Sequence, residues 1–182
     1  MAKLYFRYGL GKSAQLCQVA YNYFNERNMK IVIINAKGNE TIRSRVTIGG
    51  ESLLVREPNL FLDGGNLYQK IYRICQNVDD VHCVLVDNCE YLTVEQAEDL
   101  FYVSKLLDIP VIAYGNRLID CYKTSLGVCR LMALSDKIEK IDNSISSKRA
   151  TMDFKYGAMN CSKTAQMLTK NQALLDEGFK TC

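Results

Sequence analysis

Two stretches of this 182-residue chain combine residue types and spacing suited to holding phosphate. The longer is Tyr156-Gly157-Ala158-Met159-Asn160-Cys161-Ser162-Lys163-Thr164, and the shorter is Tyr8-Gly9-Leu10-Gly11-Lys12-Ser13. In such a loop a glycine leaves a strand, a few residues turn, and Lys followed by Ser or Thr opens a helix. Backbone N–H groups wrap the phosphates, the helix N-terminus adds positive potential, the lysine reaches the outer phosphates, and the hydroxyl holds magnesium. Gly157 to Thr164 has the full eight-residue length, with Ser162 where the usual pattern has glycine. Gly9 to Ser13 keeps Gly9, Gly11, Lys12 and Ser13 but lacks three residues, too short a loop to surround a phosphate with four or five consecutive amides. Nucleotide binding is therefore expected to depend on Lys163 and Thr164 more than on Lys12 and Ser13. The competing reading, a tight strand-to-helix turn without a ligand, loses ground because two aligned copies share the same context.

A third candidate is Asp87, which ends the apolar run Cys83-Val84-Leu85-Val86. At the carboxyl end of a central parallel strand an Asp faces the crevice where ligands bind, and beside a phosphate loop it can orient magnesium through its water shell. Its alternative role is to cap the following turn.

The elements that must position these residues follow from hydrophobic spacing. Lys3 to Tyr8 alternates as a strand, and the helix after Lys12 sets Leu16, Val19, Ala20, Tyr23 and Phe24 on one face. Lys30 to Ile34 reads as a buried strand, so strand, loop, helix and strand form a crossover unit of a parallel sheet. Residues 35–65 are irregular, with a short strand expected over Ser52 to Val55. Helices follow over Asn66–Gln76, from a capping box at Thr93 to about Leu107, and over Leu126–Ser135; strands follow over Cys83–Val86, Ile109–Gly115 and, at an edge, Lys137–Ile141. The expected fold is α/β, a parallel sheet like that of phosphate-loop NTPases with helices on both faces.

Residues 1–150 make one α/β domain, and 151–182 partly repeat its first strand, loop and helix: Leu4-Tyr5-Phe6-Arg7-Tyr8-Gly9 is echoed by Met152-Asp153-Phe154-Lys155-Tyr156-Gly157. Both copies of the strand claim one central slot. Either the C-terminal copy docks there and displaces the first, or it begins a second domain.

The formal charge of +3 is spread along the chain, without the basic stripe of a nucleic-acid binder. No apolar run is long enough for a membrane span and no signal peptide is visible, so the expected location is cytoplasmic. The eight cysteines fall singly within apolar patterns and read as reduced thiols; with one histidine and no Cys-x-x-Cys pair, no zinc site is expected.

Several separated stretches carry a resemblance to the cellular-type thymidine kinases. They are Lys3 to Gly9, Cys83 to Thr93, Leu107 to Gly115, Leu134 to Glu139 and Lys148 to Met152. The resemblance implies ATP- and magnesium-dependent phosphorylation of the 5' hydroxyl of thymidine or deoxyuridine, an α/β core with a zinc-bearing lasso, and a homo-oligomer. Its departures fall on the chemistry. Where the family has Asp followed by a catalytic Glu, this chain has Asp87-Asn88, and an amide cannot accept the proton of a sugar hydroxyl. Glu90 is the nearest carboxylate and substitutes only if the turn departs from an extended chain. In the substrate loop, Tyr114-Gly115-Asn116-Arg117-Leu118-Ile119-Asp120 retains only Arg117 and Asp120 of the family pattern. The first zinc-binding cysteine pair is matched by Ser144 and Ser146, and the rest of the lasso is missing. Two functions stay open on these grounds, a thymidine kinase with weakened turnover and a noncatalytic kinase-like module that binds nucleotide or assembles with an active partner.

Overall fold

The computed structural model describes residues 1–44, 47–48, 51–52, 54–62, 65–77, 80–118, 123–141 and 163–176. Five strands, β1 (Leu4–Gly9), β2 (Lys30–Asn35), β3 (Val81–Asp87), β4 (Val111–Tyr114) and β5 (Lys137–Ile141), form one sheet in the order β2-β3-β4-β1-β5. Every neighbouring pair is parallel. The helices are α1 (Lys12–Tyr21), α2 (Leu67–Asn77), α3 (Val94–Leu106), α4 (Leu126–Leu134) and α5 (Lys163–Asp176).

Side chains two apart on a strand share a face, and here both faces are apolar, as a sheet covered on both sides requires. Leu4, Phe6, Val32, Ile34, Val84, Val86, Val111 and Ala113 pack with Leu67 and Ile71 of α2, Leu100 and Val103 of α3, and Val128 and Leu131 of α4. Ile31, Ile33, Cys83, Leu85, Ile112 and Tyr114 pack on the opposite face with Leu16, Cys17 and Ala20 of α1. The described cysteines 17, 75, 83, 89 and 129 are free thiols, and burial pushes Cys17 and Cys83 up to about 12, so both behave as small core hydrophobes.

The central slot belongs to the N-terminal copy of the repeated unit, because β1 pairs with β4 on one side and β5 on the other. The strand and loop expected over residues 152–162, including Gly157 and Ser162, lie outside the described residues, as do Asp120, Ser144 and Ser146. Helix α5 does begin at Lys163, with Thr164 as its second residue.

Two local expectations are corrected. Helix α1 stops at Tyr21 and continues as a π-helical turn over Asn22–Glu26, which rotates Phe24 outward to 57% exposure. In place of a strand over Ser52–Val55 there are two small antiparallel pairs, Ile42–Arg43 with Val55–Arg56 and Thr47–Ile48 with Glu51–Ser52. The outer edge of β2 is covered by Asn59, whose side chain accepts from the Ile33 N–H at 2.7 Å and donates to the Ile31 carbonyl at 2.8 Å. With the Asn59 and Leu60 N–H groups, which donate to the Ile33 carbonyl at 3.0 and 3.2 Å, this amide blunts an edge that would pair with another chain.

Candidate functional site

All the strands of a parallel sheet end on the same side, and the polar residues at those ends meet there. Strand β1 ends at Gly9, which has φ 119° and whose missing Cβ would lie 2.5 Å from the Ile141 carbonyl oxygen of β5. Only glycine lets the chain turn so tightly against its neighbour. Leu10 and Gly11 complete the turn, and α1 starts at Lys12. The Lys12 ammonium donates to the Gly9 carbonyl at 3.0 Å and to Asn116 Oδ1 at 2.7 Å.

Ser13, one residue on, reaches across the end of β4 and donates its hydroxyl to Asp87 Oδ2 at 3.0 Å. Asp87 is 2% exposed, and among the described residues its Oδ1 is buried with no hydrogen-bond partner. Burial raises the Asp87 carboxyl above its ordinary pKa; the Ser13 hydrogen bond and the Asn88 backbone oppose that rise, the Glu90 charge adds to it, and the Lys12 charge subtracts. A buried carboxylate oxygen without a partner, next to a serine hydroxyl, fits a hydrated magnesium ion: hard oxygen ligands and retained waters are what that cation requires. Besides the backbone of the following Asn88, the Asp87 carboxylate bonds Ser13 on α1, so it ties the strand end to the loop as well as to its own turn.

Asn88 has φ 56° and ψ 43°, the left-handed region that Asn tolerates better than most residues. Its amide donates to Asn35 Oδ1 at 2.9 Å, and that oxygen also accepts from the Lys37 N–H at 3.1 Å. The Asn88 side chain is therefore directed toward the end of β2. The left-handed residue bends the chain into a 3-10 turn over Cys89–Tyr91, and this departure from an extended path brings Glu90 into the cleft. Glu90 Oε2 accepts from the Asn116 backbone N–H at 2.9 Å, and Oε1 from the Asn116 side-chain amide at 2.8 Å. Gly115 permits the approach, because a Cβ there would sit 2.9 Å from Cys89 Cβ and 3.1 Å from Glu90 Oε2.

These groups line one cleft of about 180 Å³ that takes in Gly9, Gly11, Lys12, Ser13, Asn88, Glu90 and Asn116, with Arg43 and, from α5, Thr169, Gln172 and Asp176 at its margin. The volume is below the roughly 300–1,000 Å³ of pockets that enclose a whole small ligand, so the cleft matches a phosphate group better than an entire nucleotide. Arg117 lies apart from that lining, its guanidinium over the Tyr8 ring at 5.9 Å. Sequence reasoning missed Asn35 and Asn116. Asn35 follows the apolar run of β2 and is the register partner of Asp87, so the strand-end argument used for Asp87 applies to it equally. Asn116 carried no such signal; its role depends on contacts with residues 26 and 104 positions away.

The chain is similar to known proteins along most of its length. Residues 3–150 match the family model described as thymidine kinase. A thymidine kinase of Mannheimia succiniciproducens is 36% identical over 149 residues, covering 78% of this chain and 72% of that protein. A thymidine kinase of Escherichia coli (strain K12) is also 36% identical over 149 residues, 69% of its length, and one from Photorhabdus laumondii is 34% identical over 70% of its length.

Proposed function

Since this chain belongs to the thymidine kinase family, we propose that it transfers phosphate from ATP to the 5' hydroxyl of thymidine or deoxyuridine at the cleft above β1, β3 and β4. The observation that carries the assignment is the Ser13–Asp87 hydrogen bond beside the orphaned Asp87 oxygen, with Lys12 at the same loop. That trio matches the division of labour in phosphate loops: lysine on the outer phosphates, hydroxyl and strand-end Asp on magnesium. Bound there, magnesium would offset the charge on the phosphate oxygens. Lys12 and the first turn of α1 hold the phosphates, and Glu90 serves as general base. Glu90 accepts the proton of the sugar hydroxyl as that oxygen bonds to the γ-phosphorus; the bond from phosphorus to the bridging oxygen breaks, and ADP leaves with its electron pair. A carboxylate keeps about four acceptor positions, and the two hydrogen bonds from Asn116 leave room for the substrate proton.

The N-terminal loop is favoured as the phosphate site over the length argument, because among the described residues its Ser13 bonds Asp87. Lys163 and Thr164 stand at the start of α5, whose later turns flank the cleft, and they define the competing site. The family relationship also favours a phosphotransferase over a noncatalytic module. A nucleoside substrate, ATP and magnesium, a homo-oligomer and a cytoplasmic location complete the reading, with Arg117 and Asp120 as substrate-loop candidates; among the described residues no helix is long and apolar enough to cross a membrane.

The test is thymidine-dependent ADP release, with magnesium-ATP affinity measured by calorimetry. Lys12→Ala should weaken ATP at least about tenfold, or 1.4 kcal/mol, and Lys163→Ala should change it little. Glu90→Ala should reduce turnover by about 100-fold or more with ATP still bound. Loss of binding in Lys163→Ala alone would move the site to the C-terminal loop.

A further inference from the structure

Asn116 connects the two charged groups of the cleft through a single side chain. Its Oδ1 accepts from the Lys12 ammonium at 2.7 Å, while its Nδ2 donates to Glu90 Oε1 at 2.8 Å and its backbone N–H donates to Glu90 Oε2 at 2.9 Å. An amide has one acceptor oxygen and one donor nitrogen, so a cation on one side and a carboxylate on the other leave it only one orientation. We infer that Asn116 is a positioning residue that fixes the Glu90 carboxylate for proton abstraction and keeps the loop lysine from pairing with it. This rests on the kinase reading above.

The physical case turns on what the cleft would do without the amide. Lys12 and Glu90 carry opposite charges and line one small cleft, and direct contact between them would occupy both groups, one needed by phosphate and the other by a hydroxyl proton. An interposed amide satisfies each with a charge-assisted hydrogen bond and holds them one side chain apart. Glu90 receives two N–H groups from one residue, so the carboxylate plane is set by the end of β4, a rigid element whose four residues are all buried. Arriving phosphates draw the ammonium off Asn116 Oδ1, while the two donors to Glu90 remain in place. The base is thus already oriented before substrate binds, the condition under which proximity contributes most to a rate.

Leu is close to Asn in shape but can make neither of the two side-chain contacts, and it keeps the backbone N–H to Glu90. Asn116→Leu is therefore the diagnostic variant. Its kcat for thymidine-dependent ADP release should fall about 10- to 100-fold, with the magnesium-ATP dissociation constant changed by less than about threefold and the melting temperature retained. Glu90→Gln should lower kcat at least as far, and the double variant should be no worse than Glu90→Gln alone, because a positioning residue has nothing to position once the base is gone. Asn116→Gln, which keeps both amide functions on a longer arm, should recover part of the loss. Multiplying losses in the double variant, an Asn116→Leu protein with parental kcat, or a kcat loss fully accounted for by unfolding would each overturn the role given to Asn116 and leave the kinase reading intact. A parent protein that binds ATP yet releases no ADP with thymidine or deoxyuridine would overturn the kinase reading itself, and the positioning role with it.

Discussion

Asp87 shows how one side chain carries opposed demands. It is almost wholly buried, one oxygen satisfied by Ser13 and the other unpartnered among the described residues, and burial pushes its carboxyl up. An unpartnered buried polar atom costs about 1–3 kcal/mol. For an acid whose folded pKa is raised, the sign is clear: the ionised form is disfavoured by folding, so stability declines as pH rises from the unfolded value toward the folded one. Asp87→Asn keeps an acceptor for Ser13 and removes the charge. Without metal at pH 7 it should melt about 2–4 °C higher than the parent, equivalent to about 1 kcal/mol at this chain length. Magnesium should raise the parent's melting temperature and leave that of Asp87→Asn unchanged, since a ligand that binds only the folded state stabilises it by mass action. Scanning calorimetry with and without magnesium reads both effects, and a parent indifferent to magnesium would count against the metal role.

Helix α2 illustrates how an element far from the chemistry is held by a residue on another element. No residue in its first turn is acidic, and its N-terminus is capped from α3: Asp99 Oδ2 accepts from the Leu67 N–H at 2.8 Å, and Oδ1 from the Asn66 side chain at 3.3 Å. A buried carboxylate at a helix N-terminus satisfies an orphan donor and complements the helix dipole. Helix α3 has its own reciprocal cap, Thr93 with Gln96, so the two helices are fixed to each other by a contact distinct from either's local start. Asp99→Ala should cost about 1–3 kcal/mol by leaving the Leu67 N–H buried and unpaired. Urea denaturation measures it, and an effect below about 0.5 kcal/mol would mean that water replaces the cap.

At the level of the whole chain, β1 is clamped where it enters the sheet. Asp136 accepts from the Leu4 N–H at 2.7 Å and pairs with Lys105 of α3 at 2.6 Å, so strand, helix and the approach to β5 share one carboxylate. The Lys105 hydrogen bond, then the Leu4 N–H, hold Asp136 below the usual carboxylate range. A depressed acid contributes stability above its unfolded pKa, near 3.9, and that stability is lost as pH falls through the folded value. Asp136→Asn should therefore be less stable than the parent at pH 7, by less than about 1 kcal/mol because the pair is open to solvent. The two proteins should converge below about pH 4. Denaturation at stepped pH checks this, and a constant gap down to pH 2 would exclude the linkage.

Local patterns carried much of this molecule. Period-two alternation located β1 and β5, continuous apolar runs located β2 and β3, helical spacing located α2 and α3, and the Thr93 capping box appears as read, because each of these depends on residues a few positions apart. Strand-end logic set Asp87 at the carboxyl end of β3 for the same reason. What chain order could not supply was which distant groups meet. The central slot went to the N-terminal strand through pairing with β4 and β5, more than 100 residues away. The Asn88 amide is bound to Asn35 because the sheet brings the ends of β2 and β3 together, and Glu90 entered the cleft because a left-handed residue precedes the turn and Gly115 leaves space beside it. The link from Lys12 through Asn116 to Glu90 joins three segments with no common local pattern. Hydrophobic periodicity is a property of neighbours and survives in the sequence, whereas the orientation of a polar side chain is set by whichever partner the packed sheet brings within 3 Å.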